Sequence, residues 1–168
     1  MFTIQFQLND RSVKALANAH VIIFAPYFMK SMLVASIAFI YVGLFVFDSN
    51  IVKIIMLAFG CWTFMIGQYP SYKQRQNLKQ VFNDSYPSFR YDFAESKFSV
   101  SSIGNGTYSY SDIDKLFVHS IYLLILLHST QLLLIDTSAL SKEEVYKLKS
   151  FLVQKSSKKW RRCSIIRL

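Results

Sequence analysis

The sequence predicts an α+β membrane protein: a two-helix transmembrane hairpin set into a cytosolic antiparallel β domain that a C-terminal helix closes. Three observations predict it. Two apolar runs, Ser31–Phe47 and Ile51–Gly67, together hold a single charged side chain, Lys53, and only Asp48-Ser49-Asn50 separates them. From Ser88 onward apolar residues recur at every second position, as half-buried strands require. Near the C-terminus, Ser141-Lys142-Glu143-Glu144 opens a stretch with apolar residues at helical spacing.

Length and charge bound the rest. A chain of 168 residues leaves room for about one globular domain beside a membrane segment. The 52% apolar content is too high for a disordered chain, and the hairpin plus a strand-rich remainder account for it. A net charge of +9 fits an anionic partner, either nucleic acid or anionic lipid. Two cysteines, Cys61 in the second run and Cys163 in a basic stretch, exclude a disulfide framework. The first apolar run is expected to remain as an anchor and not to be cleaved as a signal peptide, because a second run follows it.

Taken in order, Thr3–Leu8 alternates, with Ile4, Phe6 and Leu8 on one face, and predicts a strand. Asn9 or Asp10 offers a helix cap, and Val13, Leu16, Ala17, His20 and Phe24 follow at helical spacing opposite Arg11, Lys14 and Asn18. Pro26 predicts a kink, and Tyr27 and Lys30 an interfacial position. Each apolar run then has about 17 residues, which at ~1.5 Å per residue spans roughly 26 Å, close to a bilayer's hydrocarbon thickness of ~30 Å. Lys53 lies near the end of its run, where it can snorkel to the interface.

After Gly67, the aromatic and basic residues Tyr69, Tyr72, Lys73, Arg75 and Lys79 mark the membrane interface. Arg11, Lys14 and Lys30 precede the hairpin on the same side, so both termini are expected in the cytoplasm. The sequons Asn83-Asp84-Ser85 and Asn105-Gly106-Thr107 are read as chance occurrences.

Phe89, Tyr91 and Phe93 form one alternating set, Phe98 and Val100 a second, Tyr108 and Tyr110 a third. Gly104-Asn105-Gly106 is expected to supply the positive φ angles of a tight turn, pairing Lys97–Ile103 with Thr107–Ser111. Ile113–His119, Tyr122–Leu127 and Gln131–Ile135 are further strands; the middle one, apolar throughout, is expected to be central or packed on both faces. Ser141 and Glu144 match a capping box, and Val145, Leu148, Phe151 and Leu152 form the stripe of the closing helix. Lys155–Leu168 is polybasic, with Trp160 and no acid. The organisation is therefore residues 1–30 as strand and interfacial helix, 31–67 as hairpin, 68–87 as juxtamembrane segment, 88–155 as β domain with its helix, and 156–168 as basic tail.

Strands stoppered by a terminal helix give the element order of a pleckstrin-homology-like (PH-like) domain. Tyr110-Ser111-Asp112-Ile113 with Lys115, then Leu134-Ile135, Ala139 and Phe151, resemble the YcxB-like family of small bacterial membrane proteins. The family commonly shows Pro, a basic residue and a Phe after that Ile, where this chain has Asp136, Thr137 and Leu140. The resemblance covers nearly the whole chain and implies two spans, a bacterial cell membrane and a cytosolic domain, with no reaction to carry over.

No catalytic constellation stands out. His20, His119 and His128 lack metal-ligand spacing, and Asp112 and Asp114 flank a strand start on its solvent face. There is no nucleophile elbow, phosphate loop or dinucleotide fingerprint, so no enzyme and no cofactor is expected. The expected contact surface is with anionic lipid, through Lys73, Arg75, Lys79, Lys155, Lys158, Lys159, Trp160, Arg161 and Arg162. Nucleic acid is disfavoured because one aromatic side chain makes a thin stacking platform. The functional expectation is a non-enzymatic membrane protein presenting a basic domain for lipid, protein or self-association; the alternative is a bacteriocin immunity or self-protection protein.

Overall fold

The computed structural model describes residues 2–82, 86–102 and 105–163. The fold is α+β, and the described residues form four α-helices and two four-stranded sheets in the order β1 (Phe2–Gln7), α1 (Asp10–Phe24), α2 (Pro26–Phe45), α3 (Asn50–Phe82), β2 (Ser88–Phe93), β3 (Lys97–Ser101), β4 (Gly106–Ser109), β5 (Ile113–His119), β6 (Tyr122–Leu127), β7 (Leu132–Asp136), α4 (Lys142–Ser156) and β8 (Trp160–Arg162). Two compact units share it. Of the described residues, one holds those up to Leu16 and those from Leu78 to Cys163, and the other is Ala17–Asn77.

In the first unit the sheets run β1-β2-β3-β4 and β7-β6-β5-β8. Every pairing is antiparallel except β5 with β8. The strand ahead of the helices does pair with the strand after them, Phe2 opposite Phe93 through Gln7 opposite Ser88. Alternation decides which side of β1 goes inward: Ile4 and Leu8 are buried, Phe2 and Phe6 half-buried, and Thr3, Gln5 and Gln7 exposed. Phe6 stacks on Phe89 and Tyr91 at 5.8 and 6.0 Å between ring centroids.

One core joins both sheets to α4. It contains Ile4, Tyr91, Phe93, Phe98, Val100, Leu116, Leu123, Ile125, Ile135, Leu148 and Leu152 among others. Fully buried Tyr91 donates its hydroxyl to the Leu134 carbonyl at 2.9 Å, so the polar atom it carries into this layer has a partner. The same burial drives its pKa well above the ordinary tyrosine value. Phe151 of α4 meets the rings of Phe2, Phe93 and Tyr110 at 5.4, 6.5 and 5.7 Å. The helix therefore closes the aromatic end of the sandwich. Its capping box forms, with Ser141 Oγ accepting from Glu144 N at 3.2 Å and Glu144 Oε2 accepting from Ser141 N at 2.8 Å.

β6 is central and buried at every position, because its second face, Tyr122, Leu124 and Leu126, is covered as well as the core face. Phe117 and Leu134 extend that second face on the neighbouring strands, opposite Leu124. The first turns of α1 belong to the same unit, with Ser12 and Val13 fully buried. Asn9 caps α1, its Oδ1 accepting from Arg11 N and Ser12 N at 2.9 Å each, which leaves Asp10 as the acid of the first turn.

Several local expectations need correction. The first apolar helix begins at Pro26, which occupies its first turn and starts a new helix instead of kinking one, and it ends at Phe45, so Val46 and Phe47 fall in the connector. The second helix does not stop near Gly67. It continues as α3 through Pro70 to Phe82, so most of the juxtamembrane segment is helical. The third aromatic pair does not share a strand: Tyr110 lies in a 3-10 turn, Tyr110–Asp112, whose own capping box joins Ser109 and Asp112. Gly106 pairs with Val100 inside β4 and has no positive φ, and Gly104 lies outside the described residues. Among the described residues the positions with positive φ are Ser120 in the β5–β6 turn, Thr130 in the β6–β7 turn and Ser157 after α4. On the α1 stripe Val13 and Ala17 are buried, Leu16 and His20 half-buried and Phe24 exposed, while Ala15 and Ala19 are buried beyond it.

Candidate membrane-facing surfaces

In the unit Ala17–Asn77, α2 and α3 form an antiparallel hairpin, and small residues line the seam between them. Ser36 and Gly43 of α2 and Gly60, Gly67 and Ser71 of α3 are buried. A Cβ added at Gly43 would lie 2.8 Å from Met56 Cβ, at Gly60 2.7 Å from Ile40 Cγ1, and at Gly67 3.0 Å from Met32 Cβ. The backbones are therefore as close as glycine permits. Ser36 Oγ donates to the Gly60 carbonyl at 2.8 Å, and Thr63 Oγ1 donates to the same oxygen at 3.0 Å. Both hydroxyls at the seam thus find a backbone acceptor, the same carbonyl oxygen, as a low-dielectric setting favours.

The outward surface of the hairpin has the opposite character. Val34, Ile37, Tyr41 and Phe45 on α2, and Ile51, Ile54, Phe59, Trp62 and Met65 on α3, are exposed. Both helices are long and apolar enough to cross a membrane, and little of either is buried within the chain. A core helix of a water-soluble protein hides such residues; an apolar surface of this extent calls for lipid or a partner. Tyr27 at the start of α2 and Tyr69 and Tyr72 in α3 are exposed too, with Lys73 following them.

In the other unit the expected contact residues divide into two groups. Lys79 is engaged, its Nζ 2.8 Å from Asp10 Oδ1, and the Tyr86 hydroxyl donates to the same carboxylate oxygen. Asp10 thereby ties the start of α1, the end of α3 and the lead into β2. Arg75, which lies in the hairpin unit, is half-buried. The second group occupies the end of α4 and β8. Lys155, Lys159, Arg161 and Arg162 are exposed and Lys158 half-buried, and among the described residues none of the five makes an ion pair with an acid.

Trp160 behaves differently from these cations. It is half-buried against the core, its indole N–H donates to the Lys149 carbonyl at 3.1 Å, and Lys149 Nζ stands 6.0 Å from the ring centroid. The backbone continues the tie, since Cys163 N donates to Val118 O at 2.9 Å and the Cys163 carbonyl lies 3.1 Å from His119 Nδ1. Thus the segment from Trp160 to Cys163 is strand and edge contact.

Sequence reasoning missed the glycine seam and β8. The first had a signal, the seven-residue spacing of Ser36 to Gly43 and of Gly60 to Gly67 inside apolar runs. The second had none, because Trp-Arg-Arg carries no alternation. Of the other candidates, Asp112 accepts from Ser109 N at 2.8 Å and Asp114 pairs with Lys115 at 3.2 Å. Among the described residues no group of three His, Cys, Asp or Glu side chains is placed to hold a metal ion. Comparison with protein-family models, with curated proteins and with solved structures finds no match to this chain.

Proposed function

We propose that this chain is a non-enzymatic integral membrane protein of the YcxB-like kind, anchored in a bacterial cell membrane by the α2–α3 hairpin and presenting a basic, PH-like β domain on the cytoplasmic side. The observation that carries the reading is the inverted character of the hairpin: glycine and serine inside, bulky apolar side chains outside. Such a surface is costly in water and neutral in lipid, whereas the close seam supplies the packing that holds helices together where no hydrophobic drive exists between them.

Topology supports the rest. β1 precedes the hairpin and β2 follows it, yet they pair along six residues, so two crossings return the chain to the side it left. Lys73, Arg75 and Lys79 after the hairpin, with Arg11 and Lys14 before it, favour the cytoplasm for that side. Four strands, three strands and a closing helix give the PH-like order, to which β8 is an addition. The domain's partners are anionic lipid, a second protein or further copies of the chain. The test is extraction of native membranes at alkaline pH, where the chain is expected to stay with the membrane pellet. Quantitative release into the supernatant would contradict the hairpin reading.

A further inference from the structure

We infer that the end of α4 and β8 form a preorganised cationic ledge that binds the headgroups of anionic phospholipids electrostatically, without inserting Trp160. This rests on the membrane reading above and names the surface of the domain that meets lipid.

The cations involved are Lys155, Lys158, Lys159, Arg161 and Arg162, five of the eight positions 155–162, with no acid among the eight. Elsewhere in the same unit, Lys79, Arg90, Lys115 and Lys147 sit within 3.2 Å of a carboxylate. The ledge cations have no such acid among the described residues, so their charge is available to an external anion. Their backbone is fixed. Ser157 takes the left-handed conformation that ends α4, Lys158 N donates to Ser156 Oγ at 3.3 Å, and β8 pairs in parallel with β5. Fixing the backbone in advance lowers the ordering cost of binding.

Trp160 is the pin and not the anchor. Its N–H is already bonded to Lys149 O and its ring packs on the core, so moving it into lipid would break both contacts. Nucleic acid fits less well, since the only aromatic ring in the segment is packed against the core and half-buried, which reduces the face it can offer to a base. Headgroups of the bilayer that holds the hairpin need only charge, and a tethered surface meets them at high effective concentration.

The experiment uses the full chain in nanodiscs, with Trp62→Phe leaving Trp160 as the reporter. Discs contain phosphatidylcholine alone or with about 30% phosphatidylglycerol, plus a headgroup nitroxide lipid or an acyl-chain-brominated lipid as quencher. The ledge predicts headgroup quenching at least about twofold greater in the anionic discs, falling to the zwitterionic level in about 0.5 M salt as charge is screened. It predicts no acyl-chain quenching in either. The triple variant Lys158→Glu, Lys159→Glu, Arg161→Glu should lose the anionic increment while keeping the Trp160 emission maximum in zwitterionic discs, which reports an intact fold. Equal headgroup quenching in both discs, quenching by brominated chains, or a Trp160 response to an oligonucleotide but not to anionic lipid would each overturn the ledge. A chain that does not co-purify with discs overturns the hairpin reading and the ledge with it; one that co-purifies without the anionic increment overturns the ledge alone.

Discussion

Thr3 and Asp92 face each other across the β1–β2 seam, the Thr3 hydroxyl donating to Asp92 Oδ1 at 2.8 Å and Arg90 Nε lying 2.9 Å from Oδ2. The hydroxyl first, and the Arg90 guanidinium second, hold the Asp92 carboxyl below the usual carboxylate range. A folded-state value below the unfolded one means that the contribution is complete above the ordinary carboxylate pKa and is lost as pH falls through the lowered value. Thr3→Val removes the larger cause. We expect the variant to be less stable than the parent at neutral pH and the gap to narrow as pH falls through the lowered Asp92 value, with the Asp92 carboxyl of the variant titrating nearer its ordinary value by NMR. A gap independent of pH would mean that Thr3 acts through strand propensity alone. Glu144 follows the same sign, its carboxylate favoured by hydrogen bonds from the Ser141 backbone and side chain. The Ser141–Glu144 box was legible from four letters because both partners lie within one turn. Tyr110 is the contrary case, since its alternation with Tyr108 suggested a strand and the Ser109–Asp112 box won locally.

Among the elements, those defined by their own sequence were readable and those defined by a neighbour were not. β5 and β6 have the bounds their apolar runs predict, and the central, doubly covered β6 follows from having no polar face. β8 exists because β5 has a free edge to offer, a fact that Trp160, Arg161 and Arg162 cannot encode. The extension of α3 past Gly67 runs through Pro70, ordinarily a stop signal. Proline removes one N–H, and the loss is tolerable where neighbouring groups satisfy the freed carbonyl. The hairpin seam provides the sharpest test at this scale. Alanine is a better helix former than glycine by about 0.5–1 kcal/mol, so Gly43→Ala would stabilise a helix with open space beside it. Here the new Cβ meets Met56 Cβ at 2.8 Å, an atom fixed to the opposite backbone, so the helices must part. The expected outcome is a net loss of about 1–2 kcal/mol on unfolding in detergent micelles. A gain would show that the seam has slack.

At the scale of the whole molecule, the unusual feature is a β domain completed by a strand from the far side of a helical hairpin. Ile4 and Leu8 supply part of its buried surface although about eighty residues separate them from β2, and the alternation of Thr3–Leu8 announced the strand but not its partner. Any membrane topology must return the chain after α3 to the side on which β1 was left. The measurement that tests this most directly places single cysteines at Ser49, exposed in the α2–α3 connector, and at Gln154, exposed on α4, after Cys61 and Cys163 have been replaced by alanine. With an impermeant thiol reagent, Ser49→Cys is expected to label in intact cells and Gln154→Cys only after permeabilisation. Equal labelling of the two positions in intact cells would contradict a hairpin that crosses the membrane and returns.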